Sequence, residues 1–280
     1  PSPTPSLHRR QRQMCIRDSV NIALPTLVRE LQTDFPTVQW VVLAYLLTLA
    51  VLLLSVGRLG DMIGKKRIYT VGFAAFTIGS ILCGLAANVY MLILFRVVQA
   101  MGATMILALG TAIVTESFPP KERGKALGII GTTVSIGIVI GPTLGGIIID
   151  LLSWHWIFFV NIPVGILGIF MVIRFVPDIQ PVGKQRFDFL GAITLFISLL
   201  AFLSALTIGQ NIGFSDYRIL SLLAGWLVFL GVFIWIEKRA VQPMIDLTLF
   251  RNALFSINLV TGFITFIAIA CMFILMPFFL

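Results

Sequence analysis

Eight long stretches without a single Asp, Glu, Lys or Arg constrain this chain of 280 residues more than any other feature. They are 35–57, 68–95, 97–115, 126–149, 156–173, 189–215, 219–236 and 252–280. The shortest of them hold 18 residues, and a helix needs about 20 apolar residues to cross a bilayer. Arg96 alone separates the second stretch from the third, and together they are too long for one span. We therefore expect a turn at Asn88 and Tyr90, which places Arg96 inside a helix.

The composition of these stretches predicts helices. They are rich in Leu, Ile, Val, Phe and Gly and do not alternate with a period of two, as the strands of a membrane barrel would. Charged residues make up 11% of the chain, against about 25% in a soluble domain, which excludes an ordinary soluble enzyme. The three cysteines lie far apart without a CxxC pattern, so we expect no metal and no cofactor. The predicted fold class is an all-α polytopic membrane protein.

The net charge of +8 is distributed as a topology signal. Basic residues gather in alternate loops, and the positive-inside rule places such loops on the cytoplasmic side of the cell membrane. We therefore expect the lipid bilayer, and not nucleic acid, as the partner of this charge. The clustered basic residues are Arg58, Lys65, Lys66, Arg67, Lys121, Arg123, Lys125, Arg174, Lys184, Arg186, Lys238, Arg239 and Arg251.

Both ends of the chain are interpreted as cut. Residues 1–18 have a basic region but no apolar core of a signal peptide, and the string QRQMCIRDS resembles translated sequencing-adapter sequence. We expect this segment to be non-native; a disordered basic tail is the alternative. Ser19–Leu31 is interpreted as the remnant of a first helix, and the last residues stop within an apolar helix.

The loop after the first complete span reads GRLGDMIGKKR, from Gly57 to Arg67. Its glycines are expected to let two helices and a sharp turn approach closely. Asp61 is predicted to stand at the start of the next helix, where its carboxylate would accept bonds from free backbone N–H groups. From the residues alone, a capped turn with a basic anchor is the simpler interpretation.

Arg96 is the most informative single residue. An arginine inside a span costs about 2.5–3.5 kcal/mol on insertion scales, so it is retained with partners or for a function. Arg96, Gln99, Ala100 and Ala103 share one helix face, which predicts a small, polar surface facing a hydrated cavity. The alternative is an arginine that extends to the outer interface.

The fourth stretch contains GIVIGPTLGG, from Gly137 to Gly146. Gly137, Gly141 and Gly145 lie four residues apart and form one smooth stripe, so that another helix can approach almost backbone to backbone. Pro142 lacks a backbone N–H and is expected to bend the helix. Such a helix suits a moving interface, although static packing uses the same pattern.

These motifs resemble those of the major facilitator superfamily. The first loop resembles the family's G-x-L-x-D-x-x-G-[RK]-[RK]-[RK] motif, which implies that it is a conformational latch. The segment that begins at Arg96 resembles the R-x-x-Q-G-x-G-A pattern, with Ala100 in place of a glycine, and the resemblance implies a role for Arg96 and Gln99 in proton coupling. The segment from Gly137, with Gly146 at its end, resembles the antiporter signature of drug exporters. The latch residues implied are Gly57, Asp61, Gly64, Lys65, Lys66 and Arg67.

Further segments resemble the fourteen-helix drug:H⁺ antiporters. Asp150 and the run from Trp154 to Gly165 are similar to a stretch of that family, with His155 in place of an arginine. Trp154 and Trp156 are expected in an aromatic belt at the outer interface. Asn21–Pro25 is similar to the end of the first-helix motif, whose aspartate would fall on Ile16. The resemblance implies four parts: residues 1–18, an N-terminal bundle over 19–176, a linker with an extra helix pair over 177–237, and the start of a second bundle over 238–280.

The expected function is proton-coupled export of small organic compounds by alternating access, with the substrate and protons as partners. An uptake symporter is the alternative within transport. A non-transporting membrane receptor or scaffold is the alternative outside it. An enzyme is not expected, because no nucleophile–base pair or metal cluster stands out.

Overall fold

The computed structural model of the protein describes residues 26–178, 188–240 and 247–279. Within these ranges all regular structure is helical. After a short helical segment over residues 26–30, the helices are α1 (Phe35–Ile63), α2 (Lys65–Gly84), α3 (Val89–Ser117), α4 (Pro120–Leu151), α5 (Trp156–Phe159), α6 (Asn161–Phe175), α7 (Phe189–Ile212), α8 (Tyr217–Arg239) and α9 (Ala253–Phe279), with a 3₁₀ turn at Leu247–Arg251 before α9. Residues 1–18, Ile16 and Asn21–Pro25 lie outside the described ranges.

Seven spans in the described ranges are long and apolar enough to cross a membrane, with α5 and α6 together forming one of them, Trp156–Phe175. These seven match the first seven predicted stretches in order, and the eighth stretch is α9. The predicted all-helical membrane fold is confirmed. α7 and α8 pack against each other within the range 177–237, where the resemblance implies an extra helix pair; that assignment stays a prediction.

The predicted break before Arg96 is also confirmed, with one correction. α2 ends at Gly84, and α3 begins at Val89 after the N-cap residue Asn88. The Asn88 side chain accepts a 2.9 Å bond from the backbone N–H of Met91, which satisfies one of the free N–H groups at the helix start. Tyr90, which we expected in the turn, belongs to the first turn of α3 because Asn88 already ends the loop.

The closest packing joins α2 to its neighbours. A Cβ atom added at Gly79 would lie 2.6 Å from the Cα of Gln99 on α3, and one added at Gly102 would lie 2.3 Å from the backbone nitrogen of Phe76 on α2. α6 reaches α2 in the same way, since a Cβ at Gly165 would overlap the Thr77 hydroxyl. Two helices can approach this closely only where one of them has a glycine at the contact.

α1 completes this group by packing along α3, and the pair α7–α8 attaches through contacts between α7 and α1. One buried apolar cluster lies where α1, α2, α3 and α5 meet; its members are Leu27, Val38, Val41, Cys83, Ala86, Val89, Leu92, Trp154 and Phe158. We call α1, α2, α3, α5 and α6 the packed group. α4 lies beside it and is mostly exposed along its length.

Candidate functional site

Arg96 lies about two turns into α3, and only 7% of its surface is exposed. The other members of the predicted polar face are equally enclosed, with Gln99 at 1%, Ala100 at 0% and Ala103 at 7% exposure. The four residues therefore share one buried face, as their spacing predicts. Arg96 does not extend to the interface, because its side chain points into the group of helices.

Neutral acceptors on two helices hold the guanidinium of Arg96. Its Nε donates to the backbone oxygen of Val41 on α1 at 3.1 Å, and one terminal nitrogen donates to Oε1 of Gln99 at 2.8 Å. Among the described residues, the ion pairs do not include Arg96. A buried cation needs such hydrogen bonds, since burial removes the water that otherwise stabilises its charge.

Gln99 extends this network to α2. Its Nε2 donates to the hydroxyl of Ser80 at 2.7 Å, and that hydroxyl donates to the backbone oxygen of Phe76 at 2.8 Å. Ser80 is fully buried, and the Cys83 thiol lies 4.0 Å from Gln99 Oε1. The network therefore connects α1, α3 and α2 through a single row of polar side chains. The Gly79 contact explains how Gln99 comes close enough to α2 to make it.

Aromatic rings cover the guanidinium on its apolar side. The Cζ atom of Arg96 lies 4.3 Å from the ring centre of Tyr45 on α1 and 5.7 Å from that of Phe158 on α5. The negative face of an aromatic ring attracts a cation at such distances. Sequence reasoning did not identify Tyr45 or Ser80. The signal was weak, because both lie in other spans and only the packing brings them to Arg96.

The latch loop differs from its prediction at Asp61. α1 continues to Ile63, so Asp61 lies in the last turn of α1 and not at the start of α2. A carboxylate is unfavourable at a helix C-terminus, where the dipole is negative. Lys65 compensates for this with its Nζ atom, which lies 3.0 Å from the Asp61 carboxylate. The same ammonium also pairs with Glu116 at the end of α3. Glu116 remains exposed to solvent while it makes this pair.

The remaining latch residues have different surroundings. Gly64 makes the turn, since its φ of 110° is unfavourable for residues with a side chain. Gly57 has open space around it, so the prediction that it lets two helices approach closely is wrong. The close approach of α1 to α3 occurs at Gly60, against the side chain of Leu109. Lys66 donates to the backbone oxygen of Ile173 in the last turn of α6 at 3.1 Å. Arg67 is exposed.

We call the glycine stripe of α4, from Gly137 to Gly146, the seam. Most of its glycines have no close neighbour. A Cβ atom added at Gly137, Gly141 or Gly146 would meet nothing within 4 Å. Gly145 is buried. α4 runs through position 142 as continuous helix, and the side chain of Pro142 lies outside the described part of the chain. The smooth stripe that the sequence predicts is therefore present and largely uncovered.

The segment between α4 and α6 corrects one expectation. Trp154, predicted for an outer aromatic belt, is 3% exposed and belongs to the buried cluster, whereas Trp156 is 47% exposed. His155 stacks on Trp154 with ring centres 3.8 Å apart. Partial burial lowers the pKa of His155, which Glu30 counteracts through its negative charge.

Asp188 is the N-cap of α7. Its carboxylate accepts a 2.8 Å bond from the backbone N–H of Gly191, and the side chain is partly buried. The carboxylate of Glu237 on α8 also lies close to Gly191, since a Cβ added there would be 3.2 Å from its Oε2. A helix N-terminus favours a negative cap, which accounts for the position of Asp188.

Curated relatives align with most of this chain. "Multidrug resistance protein 3" of Bacillus subtilis is 35% identical over 255 residues, which is 90% of this chain and 50% of the relative. "Multidrug resistance protein Stp" of Mycobacterium tuberculosis is 36% identical over 257 residues, 91% of this chain and 48% of its own. "Riboflavin transporter RibZ" of Clostridioides difficile is 38% identical over 264 residues, 93% of this chain and 56% of its own. The chain thus spans about half the length of these relatives.

A solved structure agrees at the level of the fold. It is the crystal structure of a bacterial homologue of the human lysosomal transporter Spinster, in an inward-facing and occupied conformation. The TM-score is 0.50 at 19% identity, and the match covers 89% of this chain and 65% of that one. The model of the Major Facilitator Superfamily matches residues 13–280, nearly the whole sequence. This multi-pass membrane chain belongs to the Major Facilitator Superfamily.

Proposed function

We propose that the protein carrying this chain is a proton-coupled secondary transporter that exports small organic compounds by alternating access. The observation that carries the proposal is the buried Arg96, fixed by α1 and Gln99 within a chain of this superfamily. An intramembrane charge with such partners is typical of a coupling site. The relatives named multidrug resistance proteins support a drug-like substrate for this chain.

In this mechanism Arg96 attracts a carboxylate and favours its charged form, and it releases that carboxylate to protonation when the helices part. Gln99 keeps the guanidinium in place. Proton entry supplies about 2.3 kcal/mol per charge at 100 mV, before any pH gradient. The chain itself need only hold and move the proton-binding groups, so no cofactor is required.

The latch and the seam would control the conformational change. Lys65 bridges the ends of α1 and α3, and Lys66 bridges α2 to α6, so the two lysines lock one end of the packed group. The open stripe from Gly137 to Gly146 on α4 would slide against the second bundle. We place the basic loops on the cytoplasmic side of the cell membrane, where they anchor the protein in the lipid bilayer.

The proposal is tested by proton-driven dye efflux in the whole protein that carries this sequence. We expect Arg96→Ala to abolish coupling while the protein still inserts, and the matched variant Arg218→Ala, which removes an exposed arginine on α8, to leave coupling intact. Normal coupling in Arg96→Ala would remove Arg96 from the mechanism. A receptor or scaffold would show no efflux to lose in either variant.

Uptake is the second candidate, because the name of the riboflavin transporter among the relatives states no direction of transport. The two directions are separated by measuring substrate movement in right-side-out and everted vesicles with the same imposed pH gradient. Export predicts that protons and substrate move in opposite directions. Movement of both in the same direction would establish a symporter instead.

A further inference from the structure

One contact of Arg96 has no assigned role: the ring of Tyr45 against its guanidinium. Among the described residues, the close arginine–aromatic pairs that do not involve Arg96 join side chains that are one or four residues apart in sequence, and their arginines are exposed; these are Arg174 with Phe175, Arg218 with Tyr217 and Arg239 with Trp235. Tyr45 and Arg96 are 51 residues apart, and the arginine is buried. Only the packing of α1 against α3 produces this pair.

Two residues of α1 contact the guanidinium of Arg96. Val41 and Tyr45 are one helical turn apart, so they share a face of α1. The Val41 oxygen accepts from Nε in the plane of the guanidinium, whereas the Tyr45 ring lies 4.3 Å from Cζ. An arginine can donate in its plane and stack on its face simultaneously, which fixes both its position and its tilt.

We propose that Tyr45 is a positioning residue: its ring fixes the orientation of Arg96 and thereby sets the pH at which transport is coupled. This inference rests on the proposed function, because it acts through Arg96. Without the ring, the guanidinium keeps its bonds to Val41 and Gln99 but gains freedom to tilt. In the proposed mechanism Arg96 attracts a carboxylate that takes up the proton. A less fixed guanidinium attracts this carboxylate more weakly, so the carboxylate is protonated at a higher pH.

The other groups around Arg96 do not substitute for Tyr45. Among the described residues, the titratable side chains that face Arg96 are Tyr45 from α1 and the Cys83 thiol from α2, while α5 contributes the uncharged ring of Phe158. Phe158 is farther away, at 5.7 Å. The proposal therefore assigns the effect to the face of one ring and not to its hydroxyl.

The experiment compares three variants of the whole protein. Tyr45→Phe keeps the ring and removes the hydroxyl, Tyr45→Leu removes the ring, and Tyr69→Leu makes the same change at a half-buried tyrosine of α2 that contacts Phe73. The main readout is the pH midpoint of proton-driven dye efflux. We expect Tyr45→Leu to raise the midpoint by about one pH unit, a tenfold change in proton affinity, and the other two to keep the wild-type midpoint.

A second readout does not require transport. The side-chain ¹⁵N resonance of Arg96, assigned by its loss in Arg96→Lys, should move in Tyr45→Leu through loss of the ring's local field and stay in Tyr45→Phe. If the wild-type protein shows no proton-dependent transport but this pattern appears, the proposed function fails and the positioning contact stands. An unmoved Arg96 resonance, an unmoved midpoint in Tyr45→Leu, or an equal midpoint shift in Tyr45→Phe would overturn the inference.

Discussion

Two sets of glycines in this protein look alike in sequence and behave differently in the fold. In the packed group, Gly79 and Gly102 bring α2 and α3 into backbone contact, and a single Cβ at either position would collide with backbone atoms. On α4, Gly137 and Gly141 meet open space. Glycine spacing therefore predicts a surface that permits close approach of another helix, but it does not reveal whether this chain supplies that helix.

The two helices that hold Arg96 also differ from α4 in how they begin. α1 and α3 start with side-chain caps from Asp34 and Asn88, whereas α4 starts at Pro119 without one. The capped helices hold Arg96, and the uncapped helix carries the seam. Within the proposed function, the close contacts of Gly79 and Gly102 suit a fixed body, and the open stripe of α4 suits the surface along which that body moves.

The largest effect is expected for Gly102→Ala in the packed group. The new methyl group would lie 2.3 Å from the backbone nitrogen of Phe76, so two helices must separate. Overpacking of this kind lowers the free energy of unfolding by about 1–3 kcal/mol. Gly137→Ala is the matched change on α4 and should not lower it, since alanine favours a helix over glycine. Denaturant unfolding in detergent measures both, and equal losses would break the comparison.

The next effect concerns the cap of α3. Asn88→Ala removes the bond to the backbone N–H of Met91 and should lower the free energy of unfolding by about 1 kcal/mol. Pro119→Ala, at the corresponding position of α4, has no side-chain cap bond to lose. A loss in the second variant as large as in the first would show that capping does not distinguish α3 from α4.

A smaller effect is expected at the latch. Lys65→Met removes the ion pairs with Asp61 and Glu116, each worth roughly 0.2–1 kcal/mol because both carboxylates are partly exposed to solvent. Lys125→Met on α4 removes an exposed lysine that makes no ion pair among the described residues. The loss in Lys65→Met should shrink in high salt, and a loss independent of salt would argue against an electrostatic latch.

The smallest effect is a dependence on pH at the start of α1. The Thr37 hydroxyl donates to Asp34 and holds the pKa of that carboxyl below its ordinary value of 3.8. A lowered pKa stabilises the folded state above that value, and the contribution disappears as the pH falls through the folded-state pKa. As the pH falls below about 4, thermal midpoints should therefore fall less steeply in Asp34→Asn. An unchanged slope would contradict the role of this cap.

Sequence reasoning recovered the spans, the buried face around Arg96 and the family, because each depends on local composition or on residues close in the chain. It misplaced Asp61 because α1 continues beyond its apolar stretch, 35–57, to Ile63. Lys65 serves as the counter-ion of Asp61 there. It did not find Tyr45 or Ser80, which reach Arg96 only through packing between helices. The prediction that Trp154 lies in an outer aromatic belt was wrong for the same reason, because its ring is buried by helices distant in sequence.

In the proposed function, the packed group stays fixed while the seam of α4 opens and closes. Labelling of single cysteines in the whole protein, freed of its native cysteines, tests it directly. The rate at Gly141→Cys should change by roughly tenfold when pH or substrate changes the conformation, while Leu109→Cys, fully buried against Gly60, should stay unlabelled throughout. An unchanging rate at position 141, or conformation-dependent labelling at position 109, would contradict the account.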